Sequence, residues 1–343
     1  MRRRYSLIAA AVLCLSGCAT DTAVNYGEIA KNSFDVWVEK NKQDGWEQTA
    51  LGSWVVEWDK GDVEASPVKT YEEYPSVRLD FTISDLNGTV GSTSDENLAK
   101  QLGTYDKRTY YGPDMTAREP SVMYAGVEEV LNQMGVGGHC KVIIPGWLLT
   151  GSRYDSREGY IDAMTELKSA KIYEFTVREL VEDTALWQME RLKEKMGDDW
   201  ERADSLAEGV YYVQDQPSDK PDTTFASGNS VYINYICRRI DGTGVDTNIA
   251  DSAKVFGCYS SSSTYEPVLI NWADTATEIT MTSNKSNVIS GFAMGIFNMR
   301  PHEKGRVYMT SDYAYGSSGS GSHIPGFCPI YFELEFVDEP EDE

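Results

Sequence analysis

Four stretches of the chain alternate apolar and polar residues with the two-residue period of a half-buried strand, and two more carry the three-four spacing of a short helix. In "SVRLDFTISDLNGTVG", Val77, Leu79, Phe81 and Ile83 alternate with polar neighbours, and Leu86-Asn87-Gly88 marks a turn. "SVYINYICRRIDGTGVD" repeats the plan with Val231, Ile233 and Tyr235, turning at Ile240-Asp241-Gly242. The segment 123–136, "MYAGVEEVLNQMGV", sets Tyr124, Val127, Leu131 and Met134 on one helical stripe. The segment 288–301, "VISGFAMGIFNMRP", matches it with Ile289, Phe292, Ile296 and Met299, and Gly126 and Gly291 fall in equivalent places. Each helix runs into a strand, "CKVIIPG" or "GRVYMTSDYAYG", and each half closes on "KIYEFTVREL" or "PIYFELEFV". Four features in one order are an internal duplication. Each copy is predicted to be an α+β unit, an antiparallel sheet curved round one short helix, with room for a small apolar ligand between them.

Outside the copies the pattern is plainer. "YGEIAKNSFDVWVEKNKQ" reads as an amphipathic helix after a polar tail, and "SWVVEW" as a strand. Between the copies, Leu186, Met189, Leu192 and Met196 form a stripe in an otherwise charged stretch. This predicts one long, mostly exposed helix that spaces the copies, followed by the linker "QDQPSDKPDTT". "SDYAYGSSGSGSHIPGF" (311–327) places Tyr313 and Tyr315 at a strand end, then a Gly/Ser run, then one apolar plug, Ile324-Pro325. A loop that only turns a corner needs fewer residues; one that lies over a pocket needs this many.

With 343 residues, 41% of them hydrophobic, there is material for two cores. The formal charge of −23 argues against nucleic acid, whose phosphates need basic patches. "MRRRYSLIAAAVLCLSGC" combines three arginines with an apolar run too short to span a bilayer. Its end, Leu15-Ser16-Gly17-Cys18, looks like a bacterial lipobox, with Cys18 lipidated after cleavage. Loss of residues 1–17 removes those three arginines and takes the charge from −23 to −26. The expectation is an exported chain tethered by its acyl groups, with only Asp21 acidic close behind Cys18, and so facing the periplasm from the outer membrane. Cys140, Cys237, Cys258 and Cys328 show no CxxC or Cys/His spacing, and with three histidines in the chain no metal site is expected. A Cys237–Cys258 disulfide is permitted in that compartment, but four free thiols are the preferred reading. Glu128 and Glu129 read as a solvated helix face, and "DEPEDE" as a charged tail.

"YICRRIDGTGVDTN", "NVISGFAMGIFNM" and "VYMTSDYAYGSSGSGSHIPGFCPIYFELEFVD" together resemble the FKBP-type peptidyl-prolyl cis-trans isomerases, over residues 225–338 with one insertion at 250–266. Residues 75–183 resemble the same template more weakly. The resemblance implies two tandem antiparallel half-barrels, each wrapped round a short helix and joined by a longer one. The expected organisation is a leader at 1–17, a tail and helix at 18–65, a degenerate FKBP-like domain at 66–183, a helix and linker at 184–224, an isomerase domain at 225–338 and an acidic tail at 339–343.

Carried over by position, the resemblance makes Tyr235 a wall of the pocket, Asp246 its edge acceptor and Phe292 its floor, where the family usually has tryptophan. It makes Tyr315 the hydroxyl donor to a substrate carbonyl, Ile289 a contact to the proline ring and Phe332 the back wall. Val245, Val288 and Ile324 complete the substrate contacts. Val245 replaces the usual phenylalanine, and His323 stands where an apolar residue is common. In the first copy Phe81, Gly91-Ser92, Val127 and Thr150 take the key places, which predicts a pocket without hydroxyl or carboxylate and without activity. Singly, Tyr315 and Phe332 read as core aromatics and Asp246 as a turn residue; their joint register is what favours a site.

Such a site needs no cofactor. The X-Pro bond rotates over a barrier of roughly 18–20 kcal/mol, and a desolvated apolar pocket that prefers the twisted amide lowers it. The implied function is a lipid-anchored isomerase acting on unfolded or proline-containing exported polypeptides. The competing readings are a non-catalytic chaperone or scaffold, and a surface lipoprotein binding peptide or glycan through the first copy.

Overall fold

The computed structural model describes residues 24–68, 74–119, 122–283 and 285–340; the leader, Cys18 and residues 341–343 lie outside them. Two antiparallel sheets, each with its own buried cluster, follow one another along the chain. The architecture is α+β, with seven α-helices among the described residues.

The first half opens with α1 (Tyr26–Asn41), whose start is capped by the Asn25 side chain accepting from the Glu28 N–H at 3.0 Å. Three strands follow: β1 (Glu47–Gln48), β2 (Trp54–Asp59) and β3 (Asp62–Pro67). The hairpin β4 (Ser76–Asp85) and β5 (Val90–Thr93) leads into α2 (Glu96–Leu102) and β6 (Asp114–Ala117). The short helix α3 (Ala125–Leu131), β7 (Gly135–Val136) and β8 (His139–Ile144) come next, then α4 (Arg157–Asp162) and β9 (Lys171–Val181).

The second half begins with α5 (Thr184–Met196), β10 (Asp204–Ala207) and β11 (Val210–Gln216). Its hairpin β12 (Ser230–Arg239) and β13 (Gly244–Thr247) leads into α6 (Ala250–Phe256), β14 (Val268–Asn271) and β15 (Thr280–Met281). The short helix α7 (Ser290–Asn298), β16 (Lys304–Met309) and β17 (Ile330–Val337) complete it.

Strand order is the same in both sheets: β1-β2-β8-β9-β4 and β10-β11-β16-β17-β12. The central strand of each carries two further partners, β5 and β6 on β4, β13 and β14 on β12. The alternating residues fall inward: Val77 and Leu79 on β4, Val231 and Ile233 on β12, are all buried. Both short helices lie directly on a strand because glycine permits it. A Cβ on Gly126 would stand 2.4 Å from Ile144, and one on Gly291 2.5 Å from the Met309 sulfur.

Several expectations change. The duplicated unit starts earlier than 66 and 225, since residues 47–59 and 204–216 supply the outer strands of the two sheets. The stretch expected to be helix and linker therefore contains β10 and β11. The apolar run Val210–Val213 follows a charged helix with only Gly209 to mark the turn, so the pattern did not separate them. α5 is also shorter than expected and is no spacer. It stops at Gly197 and buries Leu192 and Met196 against Val213, Tyr308 and Tyr331, and Gln188 where its side-chain oxygen accepts the Ser311 N–H at 2.7 Å, while Leu186 stays exposed.

The segment 250–266, an insertion against the family template, has a counterpart in the first copy. α2 and α6 both end on a left-handed glycine, Gly103 and Gly257. After each, two tyrosines stack, Tyr105 on Tyr111 and Tyr259 on Tyr265, at 5.6 and 5.1 Å. The second tyrosine's hydroxyl accepts the N–H following the first, from Asp106 at 3.2 Å and from Ser260 at 2.9 Å.

Finally, β16 ends at Met309, so Tyr313 and Tyr315 lie beyond the strand, Tyr313 closing one 3-10 turn and Tyr315 immediately preceding the next. Glu128 and Glu129 are not a solvated face either. Glu128 pairs with Arg153 at 2.7 Å, and Glu129 accepts from the Thr49 hydroxyl and the Leu51 N–H at 2.7 and 2.8 Å.

Candidate functional site

The second half gathers its candidate residues from five places. Tyr235 comes from β12, Val245 and Asp246 from β13, and Val288, Ile289 and Phe292 from the start of α7. Tyr315 and Ile324 come from the loop after β16, and Phe332 from β17. Tyr235, Phe292 and Phe332 form an aromatic cup. Phe292 meets Phe332 edge-on at 5.1 Å and Tyr235 edge-on at 6.3 Å, and Tyr235 lies 6.1 Å from Phe332. Val245, Phe292, Ile324 and Phe332 are buried in one cluster, with Tyr235, Val288, Ile289 and Tyr315 packed against it.

Two polar groups sit at the cup's edge. Asp246 Oδ2 accepts from the Tyr235 hydroxyl at 2.8 Å, and its Oδ1 accepts the Thr247 N–H at 2.9 Å. Burial, and then the Asp246 charge, push the Tyr235 phenol well above its ordinary value. Burial raises the Tyr315 phenol to about 12, with Cys237 and Asp246 adding to the rise. Among the described residues the Tyr315 hydroxyl has no hydrogen-bond partner, whereas its backbone is fixed, its carbonyl accepting the Gly319 N–H at 3.1 Å.

The Gly/Ser run is ordered over this edge. Gly319 follows a 3-10 turn, and Ser320 and Ile324 exchange both backbone hydrogen bonds, at 2.7 and 3.2 Å. The Phe327 N–H closes back on Gly316 at 3.0 Å, with Phe327 itself at φ 57°. Ile324 is 5% exposed, so in this conformation the plug is seated against the aromatic cluster.

Asn248 carries no pattern signal, yet its buried side chain ties the site together. Its Oδ1 takes the Tyr235 N–H at 2.8 Å, and its amide donates to the carbonyls of Ile233 and Glu266 at 2.9 and 3.0 Å. Ser94 does the first of these jobs in the other half, accepting the Phe81 N–H at 2.8 Å. A polar residue two past the hairpin's aspartate, or past Ser92 in the first copy, is the signal that could have found both.

The equivalent place in the first half is an open pocket of roughly 280 Å³. Phe81, Val127, Tyr173 and Phe175 line it, with Met123 and Tyr124 from the start of α3. Ser92 pairs with Ile83 as Asp246 pairs with Cys237, so the lost carboxylate is confirmed at that position. The expectation of a pocket without hydroxyl or carboxylate is nevertheless wrong. Tyr124, which stands where Ile289 does, and Tyr173, which pairs with Ile83 as Phe332 pairs with Cys237, line it together with Asp114, the one of the three at a position the family template does not mark. Burial lifts Asp114 to about 6 against the opposing pull of Arg78, and lifts Tyr173 to about 12.

All four described cysteines are free thiols, Cys140 and Cys237 buried. Burial pushes Cys140 and Cys328 up to about 12, which leaves them inert.

A family model described as FKBP-type peptidyl-prolyl cis-trans isomerase matches residues 222–337. This segment, about a third of the chain, is similar to the FKBP-type family. FK506-binding protein 59 of Drosophila melanogaster is 32% identical over 111 residues, covering 32% of this chain and 20% of that protein. FK506-binding protein 2 of Kluyveromyces lactis is 43% identical over 53 residues, 16% of this chain and 38% of that protein. The chain thus spans well under half the length of these FKBP relatives. Among solved structures, a peptidyl-prolyl cis-trans isomerase from Pseudomonas syringae pv. tomato is 21% identical with a TM-score of 0.31, covering 45% of this chain and 92% of that one. The three FKBP domains of wheat FKBP73 align over 83% of this chain and 93% of that one, at 13% identity and a TM-score of 0.27.

Proposed function

We propose that the FKBP-type half is a peptidyl-prolyl cis-trans isomerase, anchored to a bacterial envelope membrane through Cys18 and acting on exported polypeptides. The observation that carries the catalytic reading is the Tyr315 hydroxyl. It is held at the edge of the Tyr235–Phe292–Phe332 cup without a hydrogen-bond partner among the described residues, protonated across the physiological range. A substrate carbonyl preceding proline would accept from it, while the proline ring packs against Ile289 and Phe292. The apolar cup withholds the water that stabilises the planar, charge-separated amide, so the twisted form is favoured relative to solution. Asp246 stays engaged with Tyr235 and holds that wall upright. The anchor rests on the leader's charge pattern and the Leu-Ser-Gly-Cys tetrad alone.

Isomerisation of a short X-Pro peptide by the full chain, wild type beside Tyr315→Phe and Asp246→Ala, tests the activity. Acceleration that falls in both variants supports it. A folded wild-type chain that leaves the rate at its uncatalysed value removes it. The seated Ile324 favours the second reading, a binding module whose cup is closed by its own loop; peptide binding without acceleration would select it. Labelled palmitate incorporated by wild type and lost in Cys18→Ser tests the anchor.

A further inference from the structure

We propose that the first half positions the loop over the second half's site, with Asp106 and Thr109 as positioning residues that hold Ile324 in place. This rests on the isomerase reading for its functional consequence, though the contact itself stands apart from it.

The loop after α2 reaches across to the loop after β16. Asp106 Oδ2 pairs with His323 Nε2 at 3.3 Å, the Thr109 hydroxyl bonds Ser322 Oγ at 3.3 Å, and the Tyr110 N–H donates to the Ser322 carbonyl at 3.1 Å. Arg239, at the end of β12 and 4% exposed, spans both loops from beneath. Its guanidinium donates to the His323 carbonyl at 2.7 Å and to the Arg108 carbonyl, with the Tyr110 ring 5.4 Å away. These contacts grip the two residues immediately before Ile324, the plug seated in the aromatic cluster.

The chemistry is local and directional. The Gly/Ser run supplies little side-chain packing of its own, so residues 316–323 depend on backbone hydrogen bonds and on this cross-contact for a fixed course. Asp106 is itself braced, accepting the Arg108 N–H at 2.8 Å and its guanidinium at 3.0 Å. The grip therefore comes from a rigid turn. The duplicated unit has put one copy's loop to a new use, which explains why a first half lacking the template's pocket residues is still joined to the second.

Hydrogen exchange on the full chain reads the grip directly. Asp106→Ala combined with Thr109→Ala is expected to speed exchange at the Ser320 and Ile324 amides by about tenfold or more, with α7 and β17 unchanged. Asp106→Asn, which keeps an acceptor for His323, is expected to stay close to wild type. His323→Ala breaks the same contact from the other side and serves if the first variant disturbs its own half. Unchanged loop exchange in both overturns the proposal. On an X-Pro peptide the loosened variants are expected to raise KM about threefold or more with kcat nearly constant. A loosened loop with wild-type KM also overturns the positioning role. An inactive wild type removes the isomerase reading while the exchange result still decides the grip.

Discussion

The Tyr235 hydroxyl donates to Asp246 across the β12–β13 hairpin, and neither partner of this pair has an equivalent in the first half, where Phe81 and Ser92 stand. The bond joins a neutral donor to a carboxylate, a class whose net value is about 1.5–3 kcal/mol when well formed. Tyr235→Phe keeps the ring in the cup and removes only the hydroxyl. It is expected to lower kcat/KM about three- to tenfold on an X-Pro peptide and the melting temperature by several degrees. A variant as active as wild type would show that the pair does no more than close a hairpin.

Tyr315 should behave differently with pH. Burial holds its phenol near 12, above its ordinary value, so it donates a proton throughout the neutral range. A site that relies on this hydroxyl and has no group cycling protons predicts kcat/KM flat between about pH 6 and 9. Tyr315→Phe should lower that plateau about tenfold without tilting it. A bell-shaped profile in the wild type would point instead to acid–base chemistry and away from the twisted-amide mechanism.

What the sequence made legible follows from periodicity. The strands β4, β9, β12 and β17 are long and alternate over part of their length, and α3 and α7 carry glycine where they cross a strand, so each announces its buried face. The site residues Tyr235, Asp246, Phe292, Tyr315 and Phe332 lie in register with a family pattern, and the structure brings them to one cluster or its edge. Harder to see were the elements whose partners are distant. β1 and β10 are two and four residues long and are strands only because β2 and β11 lie beside them. Tyr313 and Tyr315 looked like strand residues because alternation cannot report where a hydrogen-bonded partner stops. Asp114 reaches the first pocket from β6, opposite Leu79, and no linear spacing encodes that meeting.

The packing of α7 on β16 gives a test of two opposed effects. Alanine at Gly295 gains helix propensity of about 1 kcal/mol. Its Cβ, however, would stand 2.7–2.9 Å from three carbons of Val307, a branched residue fixed on a buried strand. Overpacking of this kind costs about 1–3 kcal/mol, so Gly295→Ala should destabilise the chain despite the better helix former. Urea unfolding followed by tryptophan fluorescence would read it, and a stabilised variant would mean that α7 can lift off the sheet at little cost.

The last prediction concerns Asp114. Burial in the first half's pocket raises its carboxyl from 3.8 to about 6, Arg78 opposing the rise. The protonated form is therefore the one the fold prefers. Its stabilising contribution is fully present below about pH 4, is lost progressively as pH rises through about 6, and is gone above that. A two-unit shift corresponds to about 3 kcal/mol at most, and partial solvent access reduces this to about 1–2 kcal/mol. Asp114→Asn has no proton to lose, so its stability relative to wild type should grow between pH 4.5 and 7.5 by that amount and then level off. Urea midpoints for both chains at the two pH values measure the gap, with all other titrating groups cancelling. A gap that stays constant would mean that the carboxylate is solvated or paired with Arg78, and that the first half's pocket is far less dry than its apolar lining implies.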